Sequence, residues 1–184
     1  MKGTHALIAA LGSEPKIDIL VNNAGSLIKR CTIVDYTEEL YDKIMDLNVK
    51  SVWFLTKACI PYMLGHGEGV IINIASLAAR NGGGPGAAIY ATAKAAVATM
   101  TLALSREVAA KGIHVNAVSP GVIDNHFHEE FSTKEMLEGA IRMTPAARMG
   151  TNEEVADLIV FLSSRASAYI HGQTIEINGG MWAP

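Results

Sequence analysis

Cysteine is scarce in this chain: two cysteines, Cys31 and Cys59, occur among 184 residues. Their separation matches no metal-binding or redox spacing, so the sequence excludes a disulfide scaffold and a cysteine-based metal site. A small secreted fold held together by disulfides is excluded on the same ground. We therefore expect a reduced, cytoplasmic protein.

An excess of charge of either sign is also lacking. Fifteen Lys and Arg stand against 18 Asp and Glu, and the formal net charge is -3. This balance offers no electrostatic basis for binding nucleic acid or an anionic membrane. No apolar stretch approaches the roughly 18 residues of a membrane span. With 49% hydrophobic residues, the chain is expected to form one soluble domain, residues 1–184.

Four short apolar runs alternate with longer helical patterns. The runs, rich in β-branched residues and bounded by turn residues, cover residues 17–21, 70–75, 113–118 and 174–177. The helical patterns cover residues 37–64, 90–110, 132–141 and 152–163, and Ser132 with Glu135 and Thr151 with Glu154 predict two capping boxes. This alternation predicts an α/β fold, a Rossmann-type parallel sheet with helices on both faces.

Polar or turn-forming residues follow three of the predicted strands. Asn22-Asn23-Ala24-Gly25 ends the first run, Ser76 ends the second, and Pro120-Gly121 ends the third. Ligands of open parallel sheets bind outside the carboxyl ends of the strands, so we expect these three turns to line one crevice. Each turn, taken alone, is more simply explained as structural.

Tyr90 and Lys94 stand four residues apart, which places both side chains on one face of the predicted helix. A tyrosine that acts as an acid or base at neutral pH needs its pKa lowered by about three units, or roughly 4 kcal/mol. An exposed ion pair supplies at most about 1 kcal/mol, so Lys94 could do this only in a partly dry crevice. This chemistry therefore predicts a bound cofactor.

Two further motifs resemble ligand-binding sites but have simpler explanations. Residues 82–87, Gly-Gly-Gly-Pro-Gly-Ala, fit the form of a dinucleotide fingerprint. They do not turn directly off a strand, and a loop that brings Ser76 and Tyr90 together is the better interpretation. His126 and His128 lack a third ligand at recognisable spacing, so no metal site is expected.

The ordered set of Asn22-Asn23-Ala24-Gly25, Ser76, Tyr90, Lys94, Pro120-Gly121 and Ile177-Asn178-Gly179-Gly180 resembles the short-chain dehydrogenase/reductase family. The resemblance implies an NAD(P)-dependent oxidoreductase that interconverts an alcohol and a carbonyl, of the 3-oxoacyl-thioester reductase or the sugar and polyol dehydrogenase type. The sequence does not decide whether the cofactor is NAD or NADP. It implies these catalytic residues: Asn48, Ser76, Tyr90 and Lys94. It also implies these cofactor-binding residues: Asn22, Ala24, Gly25, Tyr90, Lys94, Pro120, Gly121, Ile123 and Asn125.

The resemblance implies that Tyr90 is the general acid/base and that Ser76 polarises the substrate oxygen. Lys94 lowers the pKa of Tyr90 and holds the nicotinamide ribose, while Asn48 holds a water that relays protons. Asn125 stands where the family usually has threonine, so altered geometry is expected there. The apolar cover expected over the crevice, residues 124–143, mildly favours an acyl or other hydrophobic carbonyl substrate.

The family's first half, a β-α-β-α-β unit of roughly 60 residues with the phosphate-binding glycines, has no counterpart in this sequence. The first strand signal resembles the family's fourth strand, and it is expected to form an exposed apolar sheet edge. Two alternatives to an enzyme that is active by itself follow: a non-catalytic, self-associating remnant that binds no dinucleotide, or a chain whose missing half is supplied by another chain, which restores activity. A homodimer or homotetramer is expected in each case.

Overall fold

The computed structural model describes residues 6–7, 9–10 and 16–183. Its sheet has four parallel strands in the order β1-β2-β3-β4. The strands are β1 (Ile19–Asn22), β2 (Gly69–Ile74), β3 (Ile113–Pro120) and β4 (Thr174–Ile177). The helices are α1 (Glu38–Met45), α2 (Ser51–His66), α3 (Ala78–Asn81), α4 (Ala88–Val108), α5 (His126–Phe131), α6 (Lys134–Met143) and α7 (Asn152–Leu162), and three short 3-10 turns cover Ile33–Asp35, Ala109–Lys111 and Arg165–Ser167.

Helices cover both faces of the sheet, as the alternation of patterns predicted. On one face, Ile71 of β2 and Val115 of β3 pack against Met63 of α2 and Val108 of α4. On the other face, Ile72, Val118 and the partly buried residues of β4 pack against Leu162 and the neighbouring apolar residues of α7. The two central strands are buried from both sides, which explains their nearly continuous apolar sequence. The Rossmann-type α/β architecture is confirmed.

The strand signals were located correctly, with ends that differ by one or two residues. The predicted helix at 37–64 is one continuous helical run from Glu38 to His66, but its middle, Asp46–Lys50, is a π-helical turn. The sequence pattern did not identify this turn. The capping box of Thr151 and Glu154 is present. The box predicted at Ser132 is wrong, since Thr133 is the N-cap and its side chain accepts from the Met136 amide.

The expectation that no segment is long and apolar enough for a membrane span needs correction. Ala88–Lys111 meets that test by length and composition alone. The segment packs on β2 and β3, and it buries Lys94, Thr101 and Ser105. Its apolar character is therefore that of a core helix of the sheet, and it gives only weak evidence for a span.

Strand β1 lies at an edge of the sheet in the described part of the chain. Leu20 joins the core beneath α2, whereas Ile19 and Val21 on the opposite face are 49% and 39% exposed. The expected apolar edge is therefore present.

Candidate active site

The carboxyl ends of β1, β2 and β3 meet at one side of the sheet. Asn22 is in register with Asn73, one residue before the end of β2. Beyond β2, the Leu77 amide donates to the Pro120 carbonyl at 2.9 Å, which draws the turn after Ser76 against the end of β3. The three turns that the sequence singled out are therefore neighbours, as expected from a parallel sheet.

The π-helical turn places Asn48 beside the turn after β1. Asn48 is fully buried, and its Nδ2 donates to the carbonyls of Ser26 and Ile44, both at 2.8 Å. Its Oδ1 accepts from the Ser26 amide at 3.2 Å. The extra residue of a π turn releases backbone groups from the helical pattern, and such turns are frequent at functional sites. Asn48 is thus held by three bonds.

Gly25 lies between Asn48 and Lys94. A Cβ atom at Gly25 would lie 2.8 Å from Asn48 Oδ1 and 2.9 Å from Lys94 Nζ, closer than a methyl group tolerates. The glycine therefore lets an amide oxygen from the π turn and an ammonium from α4 approach the same point of the main chain. This close approach unites three residues that lie far apart in the sequence.

Lys94 extends from α4 toward the end of β2. Its Nζ donates to the Ile74 carbonyl at 2.7 Å and lies 5.7 Å from the centre of the Tyr90 ring. Only 3% of the residue is exposed. Burial disfavours the charged form and lowers the pKa of Lys94 from 10.5 to about 8. The ammonium retains two further protons for hydrogen bonds.

Tyr90 lies in the first turn of α4 and faces Ser76. Burial raises the pKa of Tyr90 from 10.0 to about 12, and a hydrogen bond with the Ser76 side chain acts in the opposite direction. Ser76 Oγ also accepts from the Ala78 amide at 3.1 Å, which orients the hydroxyl at the start of α3. The segment joining α3 to α4 has Gly82, Gly83, Gly84 and Gly86 at positive φ. The predicted connecting role of this loop is confirmed.

Helix α5 covers Tyr90 from the side of the crevice. The rings of Phe127 and Tyr90 lie 5.6 Å apart, and Phe127 also packs edge-on against Phe131 at 5.1 Å. Asn125, predicted to contact the cofactor, has its side chain at the N-cap of α5, where Oδ1 accepts from the Phe127 amide at 3.2 Å. The segment expected to cover the crevice therefore does contact the candidate acid/base.

Asn22 lies at the expected strand end, but its side chain turns away from the crevice. Its Nδ2 donates to Thr56 Oγ1 at 3.0 Å and to Asn73 Oδ1 at 2.8 Å. Asn73 Nδ2 in turn donates to Thr101 Oγ1 at 2.9 Å. These four residues, called here the buried polar network, tie β1 and β2 to α2 and α4. The Nδ2 of Asn22 is therefore engaged within the sheet and not in the crevice.

The remaining predicted residues lie at the ends of β1 and β3. Ala24 is exposed beside Gly25, and Ile123 is buried, with its δ-methyl 2.7 Å from where a Cβ of Gly150 would lie. Gly121, next to Pro120, is required by packing, because a Cβ there would lie 2.7 Å from Asn178 Cα.

Sequence reasoning missed Asn73, Thr101 and Arg30. A polar residue inside the apolar run of β2 was a usable signal for Asn73. No pattern pointed to Arg30, whose guanidinium bonds two main-chain carbonyls far away in the sequence.

His126 and His128, considered for a metal site, have other partners. His126 Nδ1 lies 3.0 Å from Glu129 Oε2, and His128 Nδ1 lies 2.9 Å from Ser132 Oγ. Among the described residues, no group of three His, Cys, Asp or Glu side chains is placed to hold a metal ion.

The donor set fits the nicotinamide–ribose part of a dinucleotide. Lys94 supplies an ammonium with protons to share, and Gly25, which has no side chain, lets Asn48 Oδ1 and Lys94 Nζ approach its main chain closely. The Tyr90 ring centre lies 5.7 Å from this ammonium, and the end of β3 is bonded to the turn after Ser76. No glycine-rich turn directly follows a strand within residues 16–183 in the manner of a pyrophosphate site.

Comparison with known proteins matches residues 3–182 to a family model described as enoyl-(acyl carrier protein) reductase. The 3-oxoacyl-[acyl-carrier-protein] reductase of Rickettsia felis is 39% identical over 93% of this chain and 70% of its own length. That of Thermotoga maritima is 40% identical over 90% of this chain and 66% of its own length. A gluconate 5-dehydrogenase from Burkholderia cenocepacia, solved with NADP and tartrate, is 30% identical and superimposes with a TM-score of 0.90 over 97% of this chain and 69% of its own.

The parallel sheet and the residues at its carboxyl edge define a Rossmann-type oxidoreductase. The chain belongs to the short-chain dehydrogenase/reductase family of NAD(P)-dependent oxidoreductases that act on alcohol and carbonyl groups. It spans about two thirds of the length of these relatives.

Proposed function

We propose that this chain carries the catalytic residues of an NAD(P)-dependent carbonyl reductase in which Tyr90 is the general acid. The observation that carries the proposal is the meeting of Asn48 Oδ1 and Lys94 Nζ at Gly25, next to a Tyr90 that faces Ser76. A polar path from the buried asparagine through the ammonium to the phenol is what a proton-delivering site needs.

The protonation state of Tyr90 suits the role of a proton donor. With a pKa of about 12, Tyr90 holds its proton at neutral pH and can donate it to a carbonyl oxygen. Acting as a base at pH 7 would require lowering that pKa by about five units, or roughly 7 kcal/mol. Positive charge at Lys94 and on an oxidised nicotinamide would have to supply that energy.

Each residue has a separate task in this proposal. Ser76 donates a hydrogen bond to the substrate carbonyl and orients it toward Tyr90. Lys94 holds the ribose and passes a proton toward Tyr90, while Asn48 holds the water that resupplies it. A nicotinamide bound beside these residues would supply the hydride. Gly25 keeps these polar groups within reach of one another.

For the substrate we propose a 3-oxoacyl thioester first. The similar 3-oxoacyl-[acyl-carrier-protein] reductases of Rickettsia felis and Thermotoga maritima support this choice. The aromatic contact between Phe127 and Tyr90 also offers an apolar wall to an acyl chain. A sugar acid is the second candidate, supported by the gluconate 5-dehydrogenase that shares the fold.

The deciding experiment titrates the purified chain with NADH and with NADPH, following nucleotide fluorescence and thermal stability. Saturable binding supports the proposal and identifies the preferred cofactor, and turnover of acetoacetyl thioester or a keto acid then separates the two substrate classes. Absence of binding at millimolar nucleotide by a folded chain would contradict the proposal and favour a self-associating remnant. Binding only after addition of a second chain would favour completion by assembly.

We also propose that the chain works in the cytoplasm as a homodimer or homotetramer. Trp53 on α2 is 54% exposed and Leu102 on α4 is 41% exposed, although both helices are otherwise packed on the sheet. Large apolar side chains on two core helices are typical of a contact between subunits.

A further inference from the structure

Arg30 joins two segments that are distant in the sequence. Its Nε donates to the carbonyl of Phe131 at 2.7 Å, and its Nη1 donates to the carbonyl of Pro85 at 2.7 Å. Phe131 is the last residue of α5, and Pro85 belongs to the glycine-rich loop that leads into α4. The rigid, planar fork of a guanidinium can bind both carbonyls at once.

The glycine-rich loop is fastened to the same region by two further bonds. The Cys31 amide donates to the Gly86 carbonyl at 3.0 Å, and Tyr36 Oη donates to that carbonyl at 3.2 Å. A Cβ at Gly86 would lie 3.0 Å from Arg30 Cβ, so the glycine allows this close approach. Among these three bonded residues, Arg30 is the one whose side chain continues to α5.

Helix α5 is the element that places an aromatic ring on Tyr90. Phe127 lies one turn before the carbonyl that Arg30 binds, and its ring contacts both Tyr90 and Phe131. The helix has only six residues, from His126 to Phe131. A helix this short has little stability of its own, so its position depends on contacts from outside it.

Arg30 takes part in none of the ion pairs formed by residues 16–183, and partial burial lowers its pKa. Partly desolvating a cation is costly, and hydrogen bonds offset that cost. Here the described bonds are made to main-chain carbonyls, which suits a residue that holds backbone segments in place.

We infer that Arg30 is a positioning residue, which fastens α5 to the glycine-rich loop and so keeps Phe127 packed against Tyr90. The apolar side of the substrate crevice then depends on one side chain in the turn after β1. The effect on turnover rests on the proposed function, whereas the effect on Phe127 does not.

Fluorine NMR tests the structural part without any need for activity. The chain has four phenylalanines, so 4-fluorophenylalanine labelling yields four signals, assigned by Phe→Leu substitution of Phe54, Phe127, Phe131 and Phe161. In Arg30→Met, which keeps the side-chain length and removes the donors, we expect the signals of Phe127 and Phe131 to move and those of Phe54 and Phe161 to stay. The control is Arg106→Met, since Arg106 is exposed on α4.

Two results would overturn the inference. One is that Phe127 and Phe131 keep their signals in Arg30→Met, and the other is that all four signals move together, which means a general loss of packing. Should Arg30→Met fail to fold, Arg30→Lys decides, because an ammonium lacks the planar fork that spans both carbonyls. We expect a smaller shift of the same two signals, and unchanged signals would again overturn the inference.

A kinetic measurement tests the consequence for the reaction. With a carbonyl substrate that the wild-type chain reduces, we expect Arg30→Met to lower kcat/KM by about 10- to 100-fold, as a misplaced substrate does. Arg106→Met should match the wild type. An unchanged kcat/KM in Arg30→Met would contradict the positioning role of Arg30. A wild-type chain without turnover would count against the proposed function, and the positioning role of Arg30 would then be decided by the NMR measurement.

Discussion

At the scale of single residues, burial shifts the pKa values of the candidate pair Tyr90 and Lys94 more than charge attraction does. Tyr90 and Lys94 are both pushed toward their neutral forms, since desolvation raises the pKa of the phenol and lowers that of the ammonium. The family resemblance implies that Lys94 lowers the pKa of Tyr90. In this structure the group that opposes the upward shift of the Tyr90 pKa is Ser76. The proton therefore stays on Tyr90 at neutral pH.

Replacing Tyr90 by phenylalanine removes the proposed acid and little else. We expect turnover to fall by about 10²- to 10⁴-fold, the usual contribution of a general acid. The free energy of unfolding should hardly change, because phenylalanine keeps the ring that packs against Phe127 and loses only the hydroxyl. Steady-state rates and urea denaturation measure the two effects. The fully exposed Tyr169 offers Tyr169→Phe as the control, and undiminished turnover in Tyr90→Phe would remove Tyr90 from the mechanism.

Gly25→Ala tests the close approach of Asn48 and Lys94. The added methyl group must displace Lys94 Nζ, because three hydrogen bonds hold Asn48. We expect a loss of about 1–3 kcal/mol in stability, typical of overpacking, and a fall in turnover of at least about 10-fold. Gly65→Ala is the matched control.

Gly65 lies in α2 with no atom within 4 Å of the added group. Alanine there should stabilise the chain by about 0.5–1 kcal/mol. If Gly25→Ala behaved like Gly65→Ala in denaturation and in turnover, this would show that the Gly25 site accommodates a methyl group without displacing Lys94.

The buried Lys94 makes stability depend on pH with a definite sign. Its pKa is about 8 in the folded chain and 10.5 in the unfolded one, so the unfolded chain binds more protons between these values. The destabilisation by Lys94 is complete below pH 8 and fades as the pH rises. Relative to Lys94→Met, the unfolding free energy of the wild type should rise by up to about 1.4 kcal/mol per pH unit above pH 8.

Urea denaturation of both proteins from pH 6.5 to 9.5 measures this difference. Tyr90 is present in both and cancels. A difference that stays flat through pH 9.5, or that falls, would show that the ammonium is better solvated than its burial indicates.

At the scale of elements, the buried polar network holds the sheet to its helices. Asn22 and Asn73 link β1 to β2, and Thr56 and Thr101 extend the links to α2 and α4. Neighbouring strands and helices are thereby fixed in one relative position just beneath the candidate site. Apolar packing alone fixes such positions less sharply, because it is not directional.

Asn73→Val removes the central member of that network. Asn22 Nδ2 loses one acceptor, and Thr101 Oγ1 loses its donor, although each keeps one other bond. We expect a loss of roughly 1–3 kcal/mol, the cost of leaving buried polar groups incompletely bonded. Asn23→Ala, at an exposed position, should change stability by less than about 0.5 kcal/mol. Equal midpoints for the two variants in urea would contradict the structural role of the network.

At the scale of the whole molecule, the exposed apolar side chains on α2 and α4 are the basis of the proposed contact between subunits. Trp53 and Leu102 lie on helices whose inner sides are already packed against the sheet. We expect light scattering at micromolar concentration to give the mass of a dimer or tetramer. Trp53→Lys should shift that mass toward the monomer, because a charge would be buried in the contact.

Val34→Lys is the control for this shift, since Val34 is 89% exposed and belongs to neither helix. A monomeric wild type would contradict the proposed assembly. A Trp53→Lys variant that keeps the wild-type mass would place the contact elsewhere.

The sequence by itself determined the class of fold, the order of strands along the chain and the grouping of its turns. Runs such as the one around Ile71 read as buried strands because both their faces are covered, and parallel strands bring their carboxyl ends to one edge. The spacing of Tyr90 and Lys94 followed from the period of a helix. These features are local or periodic, so they can be seen without contacts.

Only the tertiary structure decided where individual side chains point and what they bind. The Asn22 side chain faces inward because its Nδ2 donates hydrogen bonds to Thr56 and Asn73. Asn48 lies against Gly25 because a π turn interrupts its helix. Arg30 bonds the Phe131 carbonyl across 101 positions of the sequence. Such contacts depend on distance in space, which no local pattern of residues encodes.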